Sequence, residues 1–331
     1  MKKIFVTGAT GFIGRELTKR LSEEGHQVTA LYRSVVKANA LSQDNIRLLK
    51  GNLLDETTLH TAMQDCDEVY HLAAFAAMWS SDPRIFDKLN FEATRRLLEI
   101  AREKGVKKVV VTSTAGVIGP SIEKEVTEDT ERNVDFFSDY ERTKWQSEEF
   151  IRQWDSGPMQ VAIVNPTRVF GPGLLSISNG VTRMIDLYLR GRFRILPGKG
   201  HRIGNYAYIE DVVDGHLLAM EKGRHRERYL LGGNNVSYSN FFETLGQVGG
   251  RKYRQIRLPP QAILLLSKFM LWRANQFGVP PLITPQWVDR FNNYDWAVSS
   301  QKAKNELGYQ ITPFKQALES TVQWLTHKNT P

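Results

Sequence analysis

Gly8, Gly11 and Gly14 stand three residues apart in Thr7-Gly8-Ala9-Thr10-Gly11-Phe12-Ile13-Gly14, directly after the short apolar run Ile4–Thr7. No other feature of the chain constrains its fold as strongly. Glycines at this spacing allow a tight turn from strand into helix. They let backbone N–H groups approach a pyrophosphate, and they let the helix pack closely on its strand. An amphipathic pattern over Arg15–Glu24 and a second strand over Gln27–Leu31 follow at the distance a βαβ unit requires. That context is what gives the glycine spacing its meaning.

The same alternation continues. Ile46–Lys50, Glu68–Leu72, Lys108–Thr112 and Gln160–Val164 read as further strands, with helical patterns over Asp87–Lys104 and Tyr140–Gln153. Gly25, Gly105 and Gly157 sit where helix C-caps are expected. Strands alternating with helices across short connections predict a parallel sheet covered on both faces. The 331 residues suit about two domains. After Pro166 the loops lengthen and Gly and Pro become frequent. The expected fold is therefore α/β: a Rossmann-type doubly wound parallel sheet over 1–165, with a smaller C-terminal substrate-binding lobe over 166–331, partly interwoven with the first.

Composition narrows the class. With 41% hydrophobic and 24% charged residues the chain is neither disordered nor membrane-embedded, and the single cysteine, Cys66, excludes a disulfide scaffold. The net charge of +8 is spread along the chain rather than gathered in an arm, which argues against nucleic acid as a partner. No run reaches the 18 or so apolar residues that span a bilayer. Met1-Lys2-Lys3 leads straight into a strand, so a cytoplasmic protein is expected. Ala262–Trp272, the most apolar stretch, is expected to be a packed or oligomer-facing helix, with a membrane-surface or lipophilic-substrate contact as the alternative.

The end of the second strand selects between nicotinamide cofactors. A carboxylate there would bind the ribose 2′-hydroxyl of NAD; this chain has Tyr32-Arg33-Ser34. Arg33 can pair with a 2′-phosphate and Ser34 can donate to it. NADP is the expected cofactor, with NAD the alternative. Asn52 and Leu53, after the third strand, are placed beside the adenine, although Asn52 serves equally as a helix N-cap. Ala73 and Ala74, after the fourth strand, are small enough to let the chain pass close to the cofactor. His71 reads as a satisfied core histidine. No His/Cys/Asp/Glu cluster has metal-ligand spacing.

Tyr140 and Lys144 are four apart, so a helix sets both on one face. An ammonium beside a phenol is expected to lower its pKa toward working pH. Such a phenol can give a proton to a carbonyl oxygen as hydride arrives, or take one from an alcohol. Val109–Val111 lead into Thr112-Ser113-Thr114, a strand ending in hydroxyls at the sheet edge where ligands bind.

On these motifs, with Asn165–Gly173 and Asn205–Val213, the chain resembles extended short-chain dehydrogenase/reductases of the NAD-dependent epimerase/dehydratase type. The resemblance covers nearly the whole length and is strongest to dihydroflavonol reductase-like and 3β-hydroxysteroid dehydrogenase-like members. It implies Thr114 as the hydroxyl that orients the substrate carbonyl, Tyr140 as acid/base, and Lys144 as its partner and ribose ligand. It places Pro166 and Arg168 beside the nicotinamide. Asn90 and Asp211 also match family positions, but a packing role for Asn90 and an N-cap role for Asp211 explain them more simply.

Two departures bear on the substrate. Epimerases of this type carry a diphosphate-holding arginine where this chain has Gly204, with Arg202 displaced, and Tyr32-Arg33 stands where many epimerases keep an acidic strand end. Phe75–Trp79, Phe136-Phe137 and Leu174-Leu175 are candidates for an apolar pocket wall, Trp79 above all. The resulting expectation is an NADP(H)-dependent oxidoreductase acting on a lipophilic ketone or aldehyde, or the matching secondary alcohol. The alternative is a nucleotide-sugar epimerase or dehydratase with retained NAD. A non-catalytic NADP sensor is disfavoured by the tyrosine–lysine pair. The resemblance implies a homodimer through the Tyr140 helix and the helix before the catalytic strand as one possible state beside a monomer, with Leu89, Leu97, Leu98 and Ile100 open to either core or dimer contacts.

Overall fold

The computed structural model describes residues 1–175, 179–197 and 200–328. The strands in chain order are β1 (Lys3–Thr7), β2 (Gln27–Tyr32), β3 (Ile46–Lys50), β4 (Glu68–His71), β5 (Lys108–Thr112), β6 (Gln160–Pro166), β7 (Arg168–Phe170), β8 (Ile195–Pro197), β9 (Ile203–Tyr208), β10 (Arg228–Leu231), β11 (Asn234–Ser237) and β12 (Ile256–Leu258). Seven of these pair in the order β10-β6-β5-β4-β1-β2-β3, every neighbour parallel. Parallel strands buried on both faces need apolar residues at odd and even positions alike, as Val109–Val111 supply. Phe5, Val69, Val109 and Val161 bury one face against Leu97, Leu98 and Ile151. Ile4, Val6, Val110 and Val164 bury the other against Leu17, Leu21, Val212 and Val213.

Strand order reverses between β1 and β4, which opens a crevice beyond their C-terminal ends. The glycine turn leaves β1 at this point and Ala73-Ala74 leave β4. The smaller lobe is built on a three-stranded sheet, β11-β9-β7, and the pair β12-β8. Between β9 and β11 the chain returns to the main sheet through the helix Ile209–Lys222 and β10. Sequence reading missed β10, whose four residues lie among longer loops.

Several local expectations need correction. Gly25 and Gly105 adopt φ of 80° and 72° just past their helices, as C-caps do, but the helix expected to reach Gly157 ends at Gln153. Gly157 instead turns the chain under an Asp155 carboxylate that accepts its N–H at 3.0 Å. Asp87–Glu92 is π-helical before Ala93–Glu103 continues as α-helix. That bulge turns the Asn90 carbonyl toward the hydroxyls of Thr94 (2.6 Å) and Ser147 (2.8 Å), both of which donate to it. Asp211 does not cap a helix, because the helix already starts at Ile209; its carboxylate accepts from the N–H and hydroxyl of Thr312. Leu97, Leu98 and Ile100 are core, while Leu89 lines the crevice. The helix Pro260–Phe277 packs along a narrow strip only: Ser267 and Ala274 are buried and Asn275 accepts from Trp79, while Leu265, Phe269 and Trp272 are 72%, 57% and 53% exposed, which leaves the oligomer-facing and surface-contact expectations both open. No helix among the described residues is long and apolar enough to cross a membrane.

Candidate active site

A cleft of about 870 Å³ runs along the C-terminal edge of the sheet. It brings together Gly8, Thr10, Gly11, Phe12, Ile13, Gly14, Arg33, Asn52, Leu53, Ala73, Ala74, Thr114, Tyr140, Pro166 and Arg168 on one continuous wall. Lys144 alone of the expected site residues is not on that wall.

The glycine turn explains one end. Gly8 has φ of 70°, a left-handed conformation that favours glycine, and a Cβ there would lie 2.7 Å from the Ala73 nitrogen. A Cβ on Gly14 would overlap the Gly8 carbonyl oxygen. The helix Phe12–Glu23 begins at Gly11 with no side-chain cap, so its first N–H groups and the positive end of its dipole face the cleft. That is a cradle for an anion, closed to any residue with a side chain at Gly8 or Gly14. At the far end Arg33, Ser34 and Lys37 line the cleft with Asn52 and Leu53. Asn52 caps no helix; Asp55 does, accepting from the N–H groups of Thr57 and Thr58. Lys37 had no motif to reveal it and joins Arg33 because the chain turns into the short helix Val35–Ala38.

Ser138 caps the helix Asp139–Gln153 by accepting from the Glu141 N–H at 3.3 Å. Ser-x-x-Glu is the sequence signature of such a start, and it fixes Tyr140 in the first turn, facing the cleft. Glu141, buried beside it, accepts from the Phe137 N–H (3.1 Å) and pairs with both Arg132 (3.2 Å) and Arg290. Arg132 also donates to the carbonyl of Gly116 at 2.6 Å. This network clamps the hydroxyl loop after β5 to the tyrosine helix. Asn165 on β6 adds to it, donating to the Thr114 carbonyl (3.1 Å) and to Glu148 (2.6 Å).

The hydroxyls divide by their partners. Thr112 is engaged with His216 Nε2 at 2.9 Å. Thr114 accepts from the Gly116 N–H at 3.2 Å and keeps its own proton free to donate. Ser113 Oγ is buried without a partner. Lys144 is buried one turn beyond Tyr140, and its Nζ also lacks a partner. An orphaned ammonium costs free energy unless a ligand satisfies it, and ribose hydroxyls are suitable acceptors. Cradle, orphaned lysine and basic far end together fit a dinucleotide cofactor.

The electrostatics differ from expectation. Burial pushes the Tyr140 phenol up to about 12, Glu141 acts in the same direction, and Arg290 opposes them. Burial pushes Lys144 down to about 8, against the pull of Glu148. Desolvation thus outweighs the lowering of the phenol that the lysine was expected to cause. His71 is a core residue, held near 3 by burial and bonded to the hydroxyls of Thr7 (2.8 Å) and Thr94 (2.9 Å). Asn90 is buried and does not line the cleft; its amide joins the Phe75 N–H (2.7 Å) to Thr143 (3.0 Å).

The rest of the wall was mostly unforeseen. Ala76 and Leu174 line it, but Phe75, Ala77, Met78, Trp79, Phe136, Phe137 and Leu175 do not. Trp79 donates to Asn275 at 3.1 Å, and Phe137 packs on Tyr294 and Trp296. The rest of the cleft is lined instead by Tyr206, Tyr238, Trp287 and Phe291, with Arg168, Arg183 and Arg290. Arg290 and Phe291 lie 77 and 78 residues beyond Val213, where the last of the motifs ends, so spacing along the chain carried no sign of them.

A glycine-cradled cleft at a topological switch point, with a tyrosine and a hydroxyl on its wall, defines a dinucleotide-dependent α/β enzyme. The NAD dependent epimerase/dehydratase profile matches residues 4–232, and the chain belongs to that family. It is 30% identical to the sterol demethylase protein B of Methylococcus capsulatus, across 98% of each chain. It is 25% identical to the decarboxylating sterol-4-alpha-carboxylate 3-dehydrogenase of Mus musculus, across 98% of this chain and 91% of that one. Among solved structures it resembles the UDP-glucose 4-epimerase of Thermotoga maritima, with a TM-score of 0.80 and 24% identity, over 98% of this chain and 99% of that one. The relatives named as dehydrogenases and as a ketoreductase support an NAD(P)-dependent oxidoreductase.

Proposed function

We propose that the protein is an NADP(H)-dependent oxidoreductase acting on a lipophilic ketone or aldehyde, or the matching secondary alcohol. The observation that carries this reading is that Tyr140 and Thr114 line one cleft, with the unpartnered Lys144 one turn beyond Tyr140 and Tyr206, Tyr238, Trp287 and Phe291 lining the same cleft. Bound nicotinamide supplies or accepts hydride. Thr114 donates to the substrate oxygen and holds it toward Tyr140. The Tyr140 phenol, pushed up to about 12, is fully protonated at neutral pH, the form that gives a proton to a carbonyl oxygen. Lys144 Nζ, held in place by burial, donates to ribose hydroxyls. The aromatic surround excludes water from the reacting oxygen.

NADP rather than NAD is favoured by Arg33 and Lys37 at the adenosine end and by the absence of any carboxylate from the described cleft wall. A lipophilic substrate is favoured by Tyr206, Tyr238, Trp287 and Phe291, and two relatives are named for sterols. We assign the role of substrate lobe to the part of the chain after residue 165, and read the enzyme as cytoplasmic. A homodimer across the Asp139–Gln153 helix would cover its exposed Trp145.

The test is turnover of NADPH with a panel of hydrophobic ketones and aldehydes by wild type and Tyr140→Phe. Loss of general acid catalysis lowers the rate by about 10²–10⁴-fold. A Tyr140→Phe enzyme with near-wild-type turnover overturns the assignment.

A further inference from the structure

The cleft wall carries five cationic side chains and no carboxylate among the described residues. Arg33 and Lys37 stand at the adenosine end, and the glycine turn cradles a pyrophosphate. The cofactor's phosphates therefore leave Arg168, Arg183 and Arg290 unexplained, and of these Arg168 and Arg290 stand among the aromatic rings. Arg290 is paired with Glu141, but Glu141 is shared with Arg132. Arg168 has no carboxylate partner. Its Nη1 donates to the Tyr238 hydroxyl at 3.1 Å, its guanidinium lies 4.5 Å from the Phe291 ring centre, and its Nη2 is shielded from water with no hydrogen-bond partner. A buried donor of this kind destabilises the fold until something accepts from it.

Gly204 adds a second, independent observation. A Cβ at that position would overlap Arg168 Nη1, so the guanidinium occupies space that only a glycine leaves. This is the position at which the diphosphate-holding arginine of related epimerases was expected. The positive charge is present, but it comes from β7 instead of β9, and it lies among Tyr206, Tyr238 and Phe291.

We propose that Arg168, with Arg290 beside it, receives an oxyanion of the substrate, and that the substrate is a hydrophobic alcohol or ketone bearing a carboxylate. This rests on the reading of the cleft as an oxidoreductase site. A carboxylate on an apolar body and the diphosphate of a nucleotide sugar both offer oxygens to a guanidinium. The ring-lined surround favours the apolar body. Arg290 pairs with Glu141, the residue next to Tyr140, and both Arg290 and Tyr140 line the cleft, so the anion is held on the reacting side of the cleft.

The experiment measures binding rather than turnover, which separates its failure from that of the oxidoreductase reading. The NADP⁺-saturated protein is titrated by calorimetry with octanoate, with octanamide as its neutral counterpart, and with UDP; Arg168→Met and Arg168→Lys are titrated alongside. The expected result is octanoate binding about tenfold or more tighter than octanamide. Arg168→Met should lose the difference and Arg168→Lys should keep part of it. Equal affinity for octanoate and octanamide in the wild type overturns the subsite without any variant. UDP binding tighter than octanoate, in an Arg168-dependent way, overturns the carboxylate in favour of a diphosphate. An Arg168→Met protein that loses NADPH affinity as strongly as octanoate affinity gives the arginine back to the cofactor and overturns the proposal.

Discussion

Gly14→Ala tests the cradle, with Gly25→Ala as its control. Gly14 lies inside a helix, where alanine is intrinsically favoured by about 1 kcal/mol. Its added Cβ, however, would meet backbone only: the Gly8 oxygen, the Gly8 carbonyl carbon at 2.8 Å and the Ala9 Cα at 3.1 Å. Ordinary contact begins at 3.4 Å, so the turn must move by at least 0.6 Å against the carbonyl carbon alone. Overpacking of this kind costs about 1–3 kcal/mol, and the helix preference offsets part of it. The cofactor should suffer more than the fold. A half-ångström displacement takes an N–H···O bond of about 2.9 Å to the limit of useful geometry. Losing one bond to an anion, at about 1.5–3 kcal/mol, weakens binding by about tenfold to 150-fold. Gly25 also has positive φ, 80°, but its Cβ would meet nothing within 4 Å. Gly25→Ala should lose about 1–2 kcal/mol of stability and keep its cofactor affinity. The assays are urea unfolding and NADPH fluorescence titration of all three proteins. Gly14→Ala binding NADPH within twofold of wild type would refute the reasoning, as would an equal loss in Gly25→Ala.

Three further outcomes are expected. Replacing Arg33 and Lys37 together by alanine should weaken NADPH binding by tenfold or more and leave NADH within about twofold, measured by the same titration. Glu141→Leu leaves the buried ends of Arg132 and Arg290 without their shared carboxylate; it should cost about 3–5 kcal/mol in denaturant unfolding. His71 and His216 are held by burial near 3 and 4, below the ordinary 6.5. Only the unfolded chain takes up their protons as pH falls below 6.5. Stability should therefore be complete above that pH and fall by about 2.7 kcal/mol per pH unit toward pH 4 from the two histidines. His71→Gln should halve that slope; an unchanged slope contradicts the assignment.

What the sequence made legible was local. The glycine turn, the six strands from Ile4 to Val164 and the Tyr140–Lys144 spacing are short-range patterns, and each lies where its period and capping residues place it. Fifteen of the expected site residues share one wall because parallel strands deliver their C-terminal ends to one edge. The substrate side was not legible. Arg290 and Phe291 reach the cleft from a helix that no motif marks, Phe137 and Trp79 point elsewhere, and the wall there depends on how the smaller lobe folds back. The pKa of Tyr140 is not legible in the sequence for a related reason. Spacing along a helix shows a neighbouring charge, but only the packed structure shows how much water both groups have lost.

The central claim is tested most directly by calorimetric titration of the purified protein with NADPH and NADH, after assay of the preparation for retained nucleotide. The account predicts an empty, exchangeable site that prefers NADPH by tenfold or more. NAD that copurifies and does not exchange, or a preference for NADH, would contradict it and point to the epimerase chemistry of the wider family.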